Sequence, residues 1–277
     1  MSWWAIDVRT AADERDRVGA WLVTRTGQAV EERDDGILVA FAPDEESADS
    51  LIAELNRRTD SPLETQRRSV ETADWSTEWR RGLAARRVGR LRLVPSWLET
   101  SEPEALTIVL DPETAFGSGE HGSTRAALRL MDKLLVSGDR VVDVGSGSGI
   151  LTIAAVKLGA AAAIGIEMDP EANPVALRNA ARNRVADRVE FLDGDAAALA
   201  PLVGPAELLV SNILRTTNTA LLPAIAAALR PGGIAIFSGM EQPEADEFRS
   251  TLDRSGFNPF QETSDSGWWA VAAGRPE

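Results

Sequence analysis

Apolar and polar positions change period several times along this chain, and each change predicts an element. In WWAIDVRT they alternate as in a half-buried strand. ADERDRVGAWLVTRTG then carries Val18, Trp21 and Leu22 at helical spacing on one face. AVEERDDGILVAFAP reads as a hairpin around Asp35-Gly36. DEESADSLIAELNRRTD predicts a second amphipathic helix, acidic in its first turn and closed by arginines, as the helix dipole favours. A further strand can follow in SPLETQRRSV. This order predicts a small ferredoxin-like α+β domain over residues 1–65.

Residues 66–105 form a linker zone of different character. Arg80, Arg81, Arg86, Arg87, Arg90 and Arg92 cluster there, with Trp75, Trp79 and Trp97 among them. The spacing fits a connecting helix and strand with solvated arginines, Trp79 one helical turn after Trp75. An RNA or acidic-partner patch is the alternative, less favoured beside a strongly acidic neighbour.

From residue 106 to 277 short apolar runs alternate with helical stretches. VVDVG, AAIGIEMD, VEFLDGD, ELLVSNIL and GGIAIFSG read as strands ending in Gly, Asp, Glu or Asn. Between and after them, ILTIAAVKLGA, PEANPVALRNAARNRV, TTNTALLPAIAAALR and PEADEFRSTLDRSG read as helices. Near-continuous apolar strands alternating with helices predict a parallel sheet covered on both faces, an α/β fold. The final FNPFQETSDSGWWAVAAG predicts an antiparallel hairpin at the sheet edge, which an ordinary dinucleotide-binding fold lacks.

Composition then narrows the chemistry. The chain has no Cys, no Tyr and one His, His121, so thiolate nucleophiles, phenolic bases and multi-histidine metal sites are excluded. What remains is carboxylates, amides, hydroxyls, backbone groups or a cofactor with its own reactivity. A net charge of −14 argues against general nucleic-acid binding and is compatible with a basic macromolecular substrate. No run is long and apolar enough for a membrane span, and MSWWAIDVRT has no signal-peptide pattern, so a cytoplasmic location is expected.

In such a sheet ligands sit at the carboxyl ends of the strands, so the residues closing each strand are the candidates. Asp143-Val-Gly145-Ser-Gly147-Ser-Gly149 is a GxGxG loop rather than the GxGxxG of dinucleotide sites. A carboxylate at Asp143 suits the ammonium or sulfonium of S-adenosylmethionine better than a pyrophosphate. Glu167 closes the second strand, where a carboxylate can accept hydrogen bonds from both ribose hydroxyls. Asp169 precedes a proline and fits a helix start. Asp195, with Asp193 as its neighbour, is placed to face an adenine or to cap a helix. Asn212, in SNIL, is the catalytic candidate. Its side-chain oxygen can hold a substrate amine with the lone pair directed at a methyl donor.

These segments together resemble PrmA, the methyltransferase family that modifies ribosomal protein L11. The resemblance runs from DWSTEWRRGLAARRVGRLRLVPSW through LDPETAFGSGEHGSTR, VVDVGSGSGILTIAAVKLGA, AIGIEMDPEA and SNIL to the C-terminus. It implies a seven-stranded Rossmann-like methyltransferase sheet binding S-adenosylmethionine over 106–277, and a substrate-recognition domain over 1–65. It also implies transfer of several methyl groups to lysine and N-terminal amines of that ribosomal protein, which lies at the stalk base of the large subunit. Carried residue by residue, the cofactor contacts become Thr124, Gly145, Glu167 and Asn212, with Gly147 in the same loop. Phe116 would shield the site from water, while Ser123 and Thr124 would cap the following helix. The family's usual AFGTGTHPTT reads AFGSGEHGST here, changing Ser118, Glu120 and Gly122, and Glu167 stands where Asp is frequent. His121 is then either a substrate-side loop residue or a general base. A methyltransferase of another protein lysine or a small amine, a non-catalytic adenosyl-binding ribosome module and a nicotinamide oxidoreductase are the competing readings.

Overall fold

A computed structural model of the chain describes residues 3–11, 14–26, 30–32, 37–58, 63–70, 84–98, 106–111, 117 and 119–275. The chain divides into two units, Met1–Leu83 and Ala84–Glu277.

In the first unit the elements run β1 (Trp3–Arg9), α1 (Arg15–Thr26), β2 (Glu31–Glu32), β3 (Ile37–Ala42), α2 (Glu45–Arg58) and β4 (Glu64–Val70). The sheet order is β2-β3-β1-β4, all antiparallel, which is the ferredoxin-like arrangement. Ile6 and Val8 of β1 and Leu38 and Ala40 of β3 share one face. They bury against Val18, Leu22, Leu51 and Leu55 of the two helices, with Trp21 packed at the margin. Strand β4 continues this sheet to Val70, past the expected boundary at residue 65. The hairpin turn at Asp35-Gly36, and Trp75, Trp79, Arg80 and Arg81, lie outside the described residues.

The second unit begins with β5 (Arg86–Val88), β6 (Leu91–Pro95) and β7 (Thr107–Leu110), a three-stranded sheet. Arg86, Arg87 and Arg90 are exposed, as the sequence reading has them, and two of them also pair with carboxylates. Arg86 pairs with Glu120 at 2.6 Å and Arg90 with Asp132 at 2.6 Å. Then come α3 (Gly122–Leu134), β8 (Arg140–Val144), α4 (Ile150–Leu158), β9 (Ala162–Glu167), α5 (Ala172–Arg182) and β10 (Val189–Asp193). The unit closes with α6 (Ala196–Val203), β11 (Ala206–Asn212), α7 (Arg215–Ala228), β12 (Leu229–Glu241), α8 (Ala245–Arg254), β13 (Asn258–Asp265) and β14 (Trp268–Gly274).

Strands β8 to β14 form one seven-stranded sheet in the order β10-β9-β8-β11-β12-β14-β13. The first five are parallel, and the β13–β14 hairpin adds antiparallel at the edge. Successive residues serve opposite cores. Val141, Leu208 and Ile236 join the side covered by α3, α4 and α5, whereas Val142, Leu209 and Phe237 join that of α6, α7 and α8. Asn183, the C-cap residue of α5, reaches β7, accepting from the Val109 N–H at 2.8 Å and donating to its carbonyl at 2.7 Å. The outermost strand, β13, shifts register between Pro259 and Gln261. Among the described residues no helix is long and apolar enough to cross a membrane.

Candidate active site

Strand order reverses between β8 and β11, and a cavity of about 470 Å³ opens at their carboxyl ends. Another cavity, about 510 Å³, lies on the first unit beside Trp3, Arg25 and Phe41 and holds none of the predicted site residues.

The floor is the turn from β8 into α4. Gly145, Gly147 and Gly149 have φ of 76°, 51° and 80°, a region where a side chain is strained. A Cβ on Gly145 would also stand 2.6 Å from Ile213 Cγ2 and fill the cradle. The end of β9 is tied to this turn by Glu167. Its Oε2 accepts from the Gly147 N–H at 2.9 Å, and its Oε1 from the Met168 and Asp169 N–H at 2.8 and 3.1 Å.

Across the cavity, Asn212 Nδ2 donates to Thr124 Oγ1 at 3.2 Å. The Asn212 Oδ1 is buried and has no hydrogen-bond partner. A buried network fixes the turn that carries it. Ser211 Oγ donates to Asn218 Oδ1, and Asn218 Nδ2 donates to the carbonyls of Ile213 and Ser238. Ser238 Oγ in turn donates to the Ser123 carbonyl on α3, at 2.9 Å. An orphaned buried acceptor costs about 1–3 kcal/mol, so an atom left this way beside a cavity marks where a donor is to arrive.

Thr124, Gly145, Gly147, Glu167 and Asn212 therefore line one cavity. Asp143 and Asp195 do not, and Phe116 lies outside the described residues. Asp143 is fully buried beneath the glycine turn, its Oδ2 accepting from Thr152 Oγ1 at 2.6 Å. Burial pushes this carboxyl up to about 7, against the Thr152 hydrogen bond. Asp195 is exposed and caps α6, accepting from the Ala197 N–H at 2.8 Å. The expected capping of α3 by Ser123 and Thr124 is corrected: the cap position is His121, with no side-chain capping bond, and α3 begins before both hydroxyls. Thr124 instead receives Asn212, and Ser123 Oγ meets His121 Nδ1 at 2.7 Å.

Gly239 and Trp268 are among the wall residues that escaped the sequence reading. Gly239, with φ 86°, leaves room for the Ile213 carbonyl, which would stand 2.3 Å from an added Cβ. Trp268, at the start of β14, lines the cavity with its ring 4.2 Å from that of His121. Burial and the Arg125 charge both push the His121 imidazole below its usual range. Arg125 itself is held by Asp265, whose carboxyl the Arg125 hydrogen bonds pull down to about 2. No cluster of metal-ligating side chains occurs among the described residues. A glycine cradle, a strand-end carboxylate and an unpaired amide oxygen together suit an adenosyl cofactor and a hydrogen-bond donor to be held beside it.

Comparison with known proteins agrees with this geometry. The model of the family "Ribosomal protein L11 methyltransferase (PrmA)" matches residues 3–276. A ribosomal protein L11 methyltransferase of Thermus thermophilus is 38% identical over 216 residues, 78% of this chain and 83% of that protein. One from Pelotomaculum thermopropionicum is 36% identical over 241 residues, 86% of this chain and 78% of that one. The crystal structure of a ribosomal protein L11 methylase from Lactobacillus delbrueckii superposes with a TM-score of 0.64 at 30% identity, covering 70% of this chain and all of its own. Fold, cavity and a match from end to end agree that the chain belongs to the ribosomal protein L11 methyltransferase (PrmA) family.

Proposed function

We propose that this chain methylates amines of ribosomal protein L11, at lysine side chains and the N-terminus, in the cavity between Glu167 and Asn212. As a member of its family it is an S-adenosylmethionine-dependent methyltransferase. The observation that carries the choice of an amine acceptor is the buried, unpaired Oδ1 of Asn212.

Bound S-adenosylmethionine supplies a methyl group activated on a sulfonium. The backbone of Gly145 and Gly147 would cradle the cofactor, and Glu167, lining the same cavity, would accept from its ribose hydroxyls. Asp143 supports the turn from below through Thr152. Asn212 Oδ1 accepts one N–H of the incoming amine, and Thr124 fixes the amide by receiving its Nδ2. This holds the nitrogen lone pair in line with the transferring carbon, so the principal catalytic contribution is orientation. The amine must be neutral to react, and it loses its proton to water before docking. His121 is then a wall of the acceptor side and need not act as a base. A ribosomal substrate also fits a cytoplasmic location, with no direct contact to nucleic acid or membrane.

Purified ribosomal protein L11, incubated with the chain and S-adenosylmethionine, is expected to gain mass in methyl increments, with peptide sequencing placing them on amines. No gain in mass refutes the reading.

A further inference from the structure

We propose that Trp268, backed by His121, sets how many methyl groups a single amine receives, by giving the methylated ammonium an aromatic wall at the acceptor end of the cavity. This rests on the amine-methylation reading above.

In each transfer the amine lone pair forms the new N–C bond as the S–C bond breaks, and the positive charge passes from sulfur to nitrogen. One N–H proton then goes to water, restoring a lone pair for the next round. The last product is a quaternary ammonium, which like the dimethylamine before it has no N–H for Asn212 Oδ1 to accept. Its charge still requires a partner. Among the described residues lining the cavity, Glu167 is the sole carboxylate, and it already accepts three backbone N–H groups on the cofactor side. The lining also includes Thr124, Asn212, His121 and Trp268, with the amide that would hold the amine among them. The two rings meet with centroids 4.2 Å apart and planes tilted by 55°. Burial and the Arg125 charge both favour the uncharged imidazole of His121, the form that does not repel a cation.

Trp268 is held firmly enough to define a wall. It follows a two-residue hairpin turn in which Ser266 and Gly267 have φ of 49° and 82°, as a type I′ turn requires. The turn is clamped to α3. Asp265 pairs with Arg125 and with Arg129, the latter at 2.6 Å, and Arg125 also reaches Ser266 Oγ at 3.2 Å. Gly122 completes the fit, since a Cβ there would stand 2.8 Å from Trp268 Cδ1. Two residues along α3, Thr124 bonds Asn212, so the indole wall and the amine-holding amide share one short stretch of helix.

The test uses the full chain with Trp268→Leu and Trp268→Phe. Mass analysis gives the distribution of methyl counts per amine on ribosomal protein L11. Calorimetry in the presence of S-adenosylhomocysteine gives the affinity for that amine's peptide, trimethylated and unmethylated. Trp268→Leu is expected to halt at fewer methyl groups and to lose trimethyl-peptide affinity about 2- to 30-fold. Its affinities for the unmethylated peptide and S-adenosylhomocysteine should stay near those of the unaltered chain, and Trp268→Phe should restore the full count. An unchanged methyl distribution and trimethyl affinity in Trp268→Leu overturn the proposal, as does an unaltered chain that stops at one methyl. Loss of S-adenosylhomocysteine binding in both variants overturns it too, by showing a purely structural role. An unaltered chain that methylates no amine refutes the underlying reading instead.

Discussion

Asp143→Asn tests whether the carboxylate under the glycine turn is a buried support or a cofactor ligand. Asp143 is fully buried, its Oδ2 held by Thr152, and its Oδ1 has no partner. Burial raises it from the ordinary 3.8 to about 7. A rise of about three pK units corresponds to roughly 4 kcal/mol of preference for the protonated form. The sign follows from proton counting. Between about pH 4 and pH 7 the folded chain holds a proton that the unfolded chain has released, so stability falls as pH rises. Above the folded value the full cost of the buried charge is present. An amide has no such ionisation. Asp143→Asn should therefore match the unaltered chain near pH 4 and exceed it by up to about 4 kcal/mol near pH 8. Urea titrations read by hydrogen exchange of the β8 peptide isolate the seven-stranded sheet from the first unit. Parallel pH profiles for the two proteins would refute the argument. The same variant separates the two roles: a support leaves S-adenosylmethionine affinity within about threefold, whereas a direct charge contact to the ammonium costs tenfold or more.

Asn212→Ala should lower kcat roughly 5- to 150-fold, the loss of one buried acceptor worth about 1–3 kcal/mol, while S-adenosylhomocysteine affinity changes little by calorimetry. Equal losses in both would make Asn212 a cofactor-positioning residue. Glu167→Ala should weaken S-adenosylhomocysteine binding at least tenfold, since each charge-assisted hydrogen bond is worth about 1.5–3 kcal/mol. Unchanged affinity would move the ribose contact elsewhere. Gly122→Ala places a methyl 2.4 Å from the Asp265 carbonyl, a backbone atom that cannot swing aside. It should cost about 1–3 kcal/mol in a urea melt, and undiminished stability would show that the hairpin turn yields freely.

What the sequence made legible depended on range. Strands β8, β9, β11 and β12 were readable because buried parallel strands are largely apolar and close on Gly or polar residues, and residues at or near those ends line the cavity, whereas the half-exposed β10 contributes none of the lining. Gly145, Gly147, Glu167 and Asn212 were found this way and Thr124 through the family resemblance, and all five line the site. Helix α6 was signalled only by its cap candidate Asp195, because AAALAPLV is apolar all round and shows no amphipathic period. Depth was equally invisible. Nothing local separates Asp143, sealed beneath the turn, from Glu167, whose carboxylate reaches the cavity. Trp268 was placed correctly in a hairpin, but its meeting with His121 depends on ion pairs from Asp265 to α3, far away along the chain. The cap of α3 was misplaced because hydroxyl residues at a helix start ordinarily cap it, and here Asn212 and His121 claim them.

The register shift in β13 has a consequence for how the sheet meets other chains. A sheet that ends in an open strand offers a row of unpaired N–H and C=O groups on which a second chain can build. Here that row is interrupted: Pro259 has no N–H to offer, and the bulge beside it throws the following groups out of line. The hairpin that carries Trp268 can thus stand at the edge of its sheet without becoming a template for strand addition and aggregation.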